Sequence, residues 1–152
     1  MKRLLLVFHS QSGCTAQLAQ AVATGAATLS DEVELRIRRL PAADIDDLLW
    51  AQGLLLGTPE NLGYLSGLMK DFLDRTYYPA EGKTIALPWA MFVSAGNDGS
   101  GAVRALERIA LGYRWQKVAE PVIVHGEPDA ASLSRCSDLG QTLAAGLALG
   151  LF

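Results

Sequence analysis

The feature that most limits how this chain can fold is an abrupt change near its start. Arg3-Leu4-Leu5-Leu6-Val7-Phe8 is a nearly unbroken apolar run, the pattern of a strand covered on both faces. Just beyond Ser10-Gln11-Ser12-Gly13-Cys14-Thr15, the residues Leu18, Val22, Ala26 and Leu29 recur at helical spacing. Strand, tight polar turn and helix in that order leave backbone N–H groups open at the helix start, where the dipole adds partial positive charge. Gly13 lets the backbone bend and come close to a bound group. The turn carries three hydroxyls and no Lys or Arg, so it reads as a phosphate cradle of amides and hydroxyls. The competing reading is plain capping, since Ser and Thr are ordinary helix caps.

The same alternation continues. A helix over about Cys14–Thr28 leads to Glu32-Val33-Glu34-Leu35-Arg36-Ile37-Arg38-Arg39, whose alternating charge marks a strand with one wet face near a sheet edge. Pro41 stops it, and Asp44–Trp50 makes a short helix. Gly53-Leu54-Leu55-Leu56 is a second buried strand, ending in the turn-rich segment Gly57-Thr58-Pro59-Glu60-Asn61-Leu62-Gly63-Tyr64. Ser66 caps a helix that faces Met69, Phe72 and Leu73 inward, and Tyr77-Tyr78-Pro79 with Glu81-Gly82-Lys83 reads as loop. Pro88 cannot sit inside a central strand, so the fourth strand starts at about Trp89. It ends in Ser94-Ala95-Gly96-Asn97-Asp98-Gly99-Ser100-Gly101, after which Val103, Leu106, Ile109, Ala110 and Tyr113 form an apolar helical side. Val122-Ile123-Val124 is the last strand; Asp129 or Ser132 caps a final helix with Leu133, Cys136, Gly140, Leu143 and Leu147 in one stripe.

Five strands alternating with helices, without repeat or linker, predict one domain over 1–152: a three-layer α/β/α sandwich on a parallel sheet with right-handed crossovers. Ligands of such sheets bind beyond the C-terminal strand ends. The loops after strands 1, 3 and 4 share that edge and are the three richest in Gly, Ser, Thr and Asn. A chain of 152 residues with 50% apolar and 19% charged residues buries a core without disulfide or metal staples. Net charge −3 and the lack of a basic run argue against a nucleic-acid partner. Cys14 and Cys136 fit a reducing interior. The apolar start is too short for a signal peptide and no stretch is long enough to span a membrane, so the expectation is a cytoplasmic protein with no membrane partner.

Other chemistries fail on spacing. Gly82-Lys83-Thr84 lacks the earlier glycine of a nucleotide P-loop, where Tyr77 stands, and a strand follows it. Gly99-Ser100-Gly101 opens a dinucleotide fingerprint whose third glycine position holds Arg104. No Gly-x-Ser-x-Gly elbow occurs. His9 and His125 stand alone at strand ends, with no partner set for a triad and no cluster at metal-ligand spacing. Trp50, Trp89 and Trp115 lie in or beside elements and read as packing residues. Tyr64 lies in a ligand-side loop, poised between stacking on a flat ligand and packing on the following helix.

Ser10-x-Ser12-Gly13-x-Thr15 resembles the phosphate loop of flavodoxins. Gly57-Thr58-Pro59-Glu60-Asn61-Leu62-Gly63 followed by Ser66-Gly67-Leu68-Met69-Lys70-Asp71-Phe72-Leu73-Asp74-Arg75 is similar to the flavodoxin-like NAD(P)H:quinone and FMN reductases, and Ser94-Ala95-Gly96 fits as well. The resemblance covers the chain in order. It implies strand order 2-1-3-4-5 and non-covalent FMN, with NAD(P)H as electron donor. By the same resemblance Ser10, Ser12, Gly13, Cys14 and Thr15 hold the FMN phosphate, with Gln11 reaching it through its N–H. Thr58, Pro59, Glu60, Asn61, Leu62, Gly63 and Tyr64 line the isoalloxazine; Ser94, Ala95, Gly96, Asn97, Gly99 and Gly101 cover its other edge and pyrimidine end. The flavin carries the redox chemistry, so no side chain is expected to be catalytic.

Cys14 stands where flavodoxins often have Asn, and Glu60 where quinone reductases usually have a basic or aromatic residue. Glu60 either lies near the ring, where it penalises added negative charge, or points to solvent. With 13 basic against 16 acidic residues, the chain lacks the one-signed field that steers carriers to partners. Three readings follow: an FMN-dependent NAD(P)H oxidoreductase reducing a quinone or similar small acceptor, a flavodoxin passing electrons between redox proteins, and a flavodoxin-like module without flavin. A receiver domain is excluded, since Gly57-Thr58 and His125 stand where it needs Asp and Lys. The apolar tail Leu147–Phe152 suggests an interface of a homodimer.

Overall fold

The computed structural model describes residues 1–152. Strands β1 (Lys2–Phe8), β2 (Val33–Arg39), β3 (Gly53–Pro59) and β4 (Pro88–Ala95) pair in parallel in the order 2-1-3-4. Helices α1 (Cys14–Ala27), α2 (Ile45–Trp50), α3 (Gly67–Ala80), α4 (Ser100–Tyr113) and α5 (Ala130–Ala148) complete the crossovers. The uninterrupted apolar runs are explained by cover on both faces. Leu5 and Val7 of β1 join Leu54, Leu56, Trp89, Met91 and Val93 in one core with Leu48, Phe72 and Leu106. Leu4, Leu6 and Phe8 point the other way, with Leu55, Ala90 and Phe92, into a core with Leu18, Val22, Cys136 and Leu143. Burying each such leucine contributes about 1.5–3 kcal/mol. On the second face α1 and α5 touch backbone to backbone: a Cβ on Gly140 would stand 1.9 Å from the Val22 carbonyl oxygen.

The sheet is flavodoxin-like, with strand order 2-1-3-4-5, but its fifth position is divided. Gln116–Lys117 forms β5 beside the start of β4, and Val122–His125 forms β6 beside its end. Pro121, which has no N–H for the ladder, stands in the gap. Pro88 opens β4, one residue before the expected start, which costs no interior ladder bond. Helix α3 runs on to Ala80 through Tyr77-Tyr78-Pro79, which the sequence reading places in a loop. Tyr77 holds that last turn by edge-on contacts to Tyr78 and Tyr113, with centroids 5.1 and 5.2 Å apart. β2 pairs only with β1 and is an edge strand, and Asp47 receives both Arg36 and Arg38 at 3.1 Å. Ser66 accepts from Met69 N–H, while Asp129 and Ser132 together form a capping box. Trp89 and Trp115 are buried, and the Arg36 guanidinium lies 4.0 Å from the centroid of the Trp50 ring. Leu149 and Leu151 of the tail are exposed. No helix is long and apolar enough to cross a membrane.

Candidate functional site

The first polar loop turns because Gly13 takes φ 104°, a left-handed conformation that side chains disfavour. Two of the loop's three hydroxyls have partners within the protein. Ser10 is buried and its Oγ accepts from Ala16 N–H at 3.1 Å; Thr15 is buried with its Oγ1 2.6 Å from Ser94 Oγ. These groups brace the loop against α1 and β4. What the loop offers outward is backbone: the N–H groups of Gln11, Ser12, Gly13, Cys14 and Thr15 meet no acceptor within the protein. One cationic neighbour, Arg39, was not expected from the sequence, and His9 stands beside it. Arg39, at the end of β2, donates from Nη2 to the Ser10 carbonyl oxygen at 3.3 Å and lies 5.7 Å from the Phe8 ring centroid. His9 keeps a buried Nδ1 without a partner. Burial first, and the Arg39 charge second, hold the His9 pKa below its ordinary value. The strand order carried the signal for Arg39, since β2 beside β1 sets Arg39 opposite Phe8.

The second segment is more strand than loop. β3 continues through Thr58 and Pro59; Thr58 Oγ1 donates to the Pro59 carbonyl at 2.8 Å and accepts from Ser66 N–H at 3.0 Å, fastening the chain ahead of α3. Beyond it Asn61 and Tyr64 exchange both backbone hydrogen bonds, at 2.9 and 3.0 Å, around Leu62 (φ 52°) and Gly63 (φ 76°). Positive φ at both central residues is a tight type I′ hairpin turn. It leaves Leu62 fully exposed and Tyr64 partly so. Asn61 Nδ2 donates to Gln11 Oε1 at 3.0 Å, tying the hairpin to the first loop.

Glu60 lines the cleft, and its carboxylate points to the start of α4 rather than to solvent. Its N–H donates to the Ser94 carbonyl at 2.8 Å, and its carboxylate accepts from the N–H groups of Gly99 (3.3 Å), Gly101 (3.0 Å) and Ala102 (3.3 Å). It therefore sits on the N-terminus of α4. Asp98 accepts there too, from Ser100 N–H at 3.0 Å and its hydroxyl at 2.9 Å, and these bonds hold its carboxyl below the usual range. His125 Nε2 lies 3.2 Å from the Asp98 carbonyl oxygen. Gly101 is required for the hairpin to approach, because a Cβ there would stand 1.9 Å from the Gly63 carbonyl oxygen.

These loops enclose one cleft of about 470 Å³, within the size range of small-molecule sites. Gln11, Ser12 and Cys14 line one end; Pro59, Glu60 and Asn61 face Ser94, Ala95 and Gly96 across it. Gly126 and Glu127, after β6, complete the lining and were absent from the sequence reading, although the end of β6 falls on the same sheet edge. Ser10, Gly13, Thr15, Thr58, Gly99, Gly101, Leu62, Gly63, Tyr64 and Asn97 do not line it; Ser10, Thr15, Thr58 and Gly99 are buried, and Leu62, Gly63, Tyr64 and Asn97 are exposed. The fit to a phosphate-bearing flat ligand is good. Free amides at a helix start suit a phosphate, and the slot between the β3 and β4 ends suits a ring. No group of three or more His, Cys, Asp or Glu is placed to hold a metal ion.

Comparison with known proteins matches residues 41–127 to the family described as NADPH-dependent FMN reductase. A flavodoxin of Aquifex aeolicus is 34% identical over 101 residues, covering 66% of this chain and 54% of that protein. An NAD(P)H dehydrogenase (quinone) of Acidithiobacillus ferrooxidans is 31% identical over 122 residues, covering 66% of this chain and 60% of its own. The chain thus spans a little over half the length of these relatives. Among solved structures, a flavodoxin from the domain Archaea superposes with TM-score 0.83 at 20% identity, over 95% of this chain and 98% of that one.

Proposed function

The chain belongs to the NADPH-dependent FMN reductase family, and on that premise we propose that it is an FMN-binding oxidoreductase that takes electrons from NAD(P)H and reduces a quinone or similar small acceptor. One observation carries the reading: five consecutive amides without protein acceptors stand at the start of α1, where Gln11, Ser12 and Cys14 line a cleft of about 470 Å³. Bound FMN supplies the redox chemistry, taking electrons from one partner and giving them to the other. Everything else falls to the chain's own residues. The amides of Gln11 to Thr15 bind the phosphate, with the Ser12 hydroxyl and Cys14 at the rim. Pro59, Glu60 and Asn61 on one side and Ser94, Ala95 and Gly96 on the other would hold the ring between them. Thr15, Thr58, Ser94 and Gly101 keep the walls in place from behind, and the Leu62-Gly63-Tyr64 tip bounds the mouth.

The cleft is open enough for a second flat molecule to approach the ring, and the mixed surface charge does not favour docking a single-signed protein partner. Both favour a small acceptor. The likeness to a flavodoxin supports a second reading, electron transfer to a redox protein, which the same experiment separates. We place the activity in the cytoplasm, on the two unpaired cysteines. The full chain is loaded with FMN and mixed with NADH or NADPH and a benzoquinone. Turnover well above that of free FMN is the expected result; binding of FMN without any turnover assigns the chain to electron carrying instead. Parallel titration with riboflavin tests the phosphate seat, because equal affinity for the two flavins removes it.

A further inference from the structure

Two helices start at the sheet edge that carries this cleft, α1 with Cys14 on its wall and α4 behind Glu60, which lines it. Both α1 and α4 begin after a left-handed glycine, Gly13 at φ 104° and Gly99 at φ 78°, and neither has a side-chain cap from that residue. Each start is chemically able to hold an anion. Only one is free to do so. At α4 the carboxylate of Glu60 already sits on three N–H groups, and Asp98 takes the fourth. We propose that Glu60 is a positioning residue that fills the α4 N-terminus with the chain's own carboxylate, so that a phosphate-bearing ligand of this cleft seats only at α1. The inference rests on reading the cleft as the FMN site and says which end of the cleft the phosphate takes.

The arrangement goes beyond capping. A cap needs only Ser, Thr, Asn or Asp at the position Gly99 occupies. Here the acceptor comes from another loop, whose backbone is anchored: Glu60 N–H donates to the Ser94 carbonyl, and Pro59 before it ends β3. A seated carboxylate is itself the demonstration that this terminus receives anions. With Glu60 in place, the charged side chains lining the cleft are Glu60 and Glu127, both acidic. Negative charge is thus disfavoured at the ring end and favoured at the amides of residues 11–15. A flat phosphate ester offered two equivalent helix starts could bind in two directions, and only one would present its ring correctly to both electron partners.

The test uses inorganic phosphate on the full chain without flavin, followed by amide NMR shifts at constant ionic strength. In the native chain, shifts are expected at residues 11–15 and not at Gly99, Gly101 or Ala102. In Glu60→Ala, the second set is expected to shift as well, giving two phosphate sites. Glu60→Gln keeps the side chain's shape and loses its charge; phosphate should reach the α4 amides there, as it does not in the native chain, but at higher concentration than in Glu60→Ala. Acetate should raise the melting temperature of Glu60→Ala more than that of the native chain, whose α1 amides alone are open to it, an extra rescue that a purely steric role for Glu60 does not give. Folded variants whose α4 amides ignore both phosphate and acetate overturn the proposal. Native amides 11–15 that ignore phosphate overturn the phosphate seat at α1 instead, whatever the variants do.

Discussion

The starts of α1 and α4 look alike in sequence and end up chemically opposite. Both follow a strand, both turn on a left-handed glycine, and both lie among Ser, Gly and other small polar residues. At α4 every early N–H is taken, three by Glu60 and one by Asp98; at α1 only Ala16 N–H is taken, by Ser10. What differs is the delivery of an acid from elsewhere in the chain. The hairpin after β3 brings Glu60 to α4, whereas the nearest charge brought to α1 is the cation of Arg39. A glycine-rich turn before a helix therefore marks only a capacity. Whether it becomes a ligand seat or a structural joint depends on what the neighbouring loops present to it.

The largest effect should come from making α1 resemble α4. Ser12→Asp sets a carboxylate among the free amides, where it both occupies them and repels a phosphate. The cost to FMN affinity should reach several kcal/mol, more than about a hundredfold, while riboflavin affinity changes little. Parallel fluorescence titrations measure both. Equal losses for the two flavins would place the phosphate away from this loop.

That comparison also shows where sequence reasoning stops. The sheet order and both cores were legible because β1, β3 and β4 are apolar without interruption and β2 alternates, and a chain that buries both faces of its central strands has few ways to do so. The turn at Gly13 was legible because strand, glycine and helix are contiguous. The Glu60 contact was not: its partners lie 39 to 42 residues away on another loop, and no local spacing encodes which of two helix starts an acid will reach. Thr58 misled for a related reason. It sits in a turn-rich segment by composition, yet the ladder with β4 extends β3 through it. The extension of α3 through Pro79 depends on Tyr77 meeting Tyr113 of α4, again a contact made only in the folded chain.

A second, smaller effect probes the joint at α4. Gly101→Ala would drive a Cβ to 1.9 Å from the Gly63 carbonyl oxygen, so the hairpin must retreat and loosen Glu60 from its donors. Overpacking of this kind costs about 1–3 kcal/mol, read as a lower urea midpoint. Gly13→Ala meets nothing within 4 Å and should cost about 1–2 kcal/mol through its left-handed backbone alone. If phosphate now reaches the α4 amides in Gly101→Ala and not in Gly13→Ala, the hairpin position is what keeps Glu60 seated. Weaker again, Asn61→Ala removes the single exposed bond to Gln11 and should loosen FMN by about threefold, in line with roughly 0.5–1 kcal/mol for one such bond.

The smallest effect tests the cation on the α1 side. Arg39 is exposed and touches the loop through the Ser10 carbonyl, so its pull on a phosphate is solvent-screened. Arg39→Gln should weaken FMN by about twofold at low salt and not at all near 1 M salt, with riboflavin unaffected throughout. The same substitution acts on His9, whose pKa burial and Arg39 together hold below 6.5. In the unfolded chain His9 takes its proton near that ordinary value, and in the fold only at lower pH. Between the two the unfolded state binds more protons, so stability is lost as pH falls below 6.5. Removing Arg39 lifts the lesser of the two causes and leaves burial, so the loss should become shallower without vanishing. Melting temperatures of both proteins from pH 7.5 down to 5 measure it, with His9→Asn in each background to isolate the histidine. An unchanged slope in Arg39→Gln would mean that burial alone holds His9 neutral, and that the positive charge of Arg39 is spent on solvent.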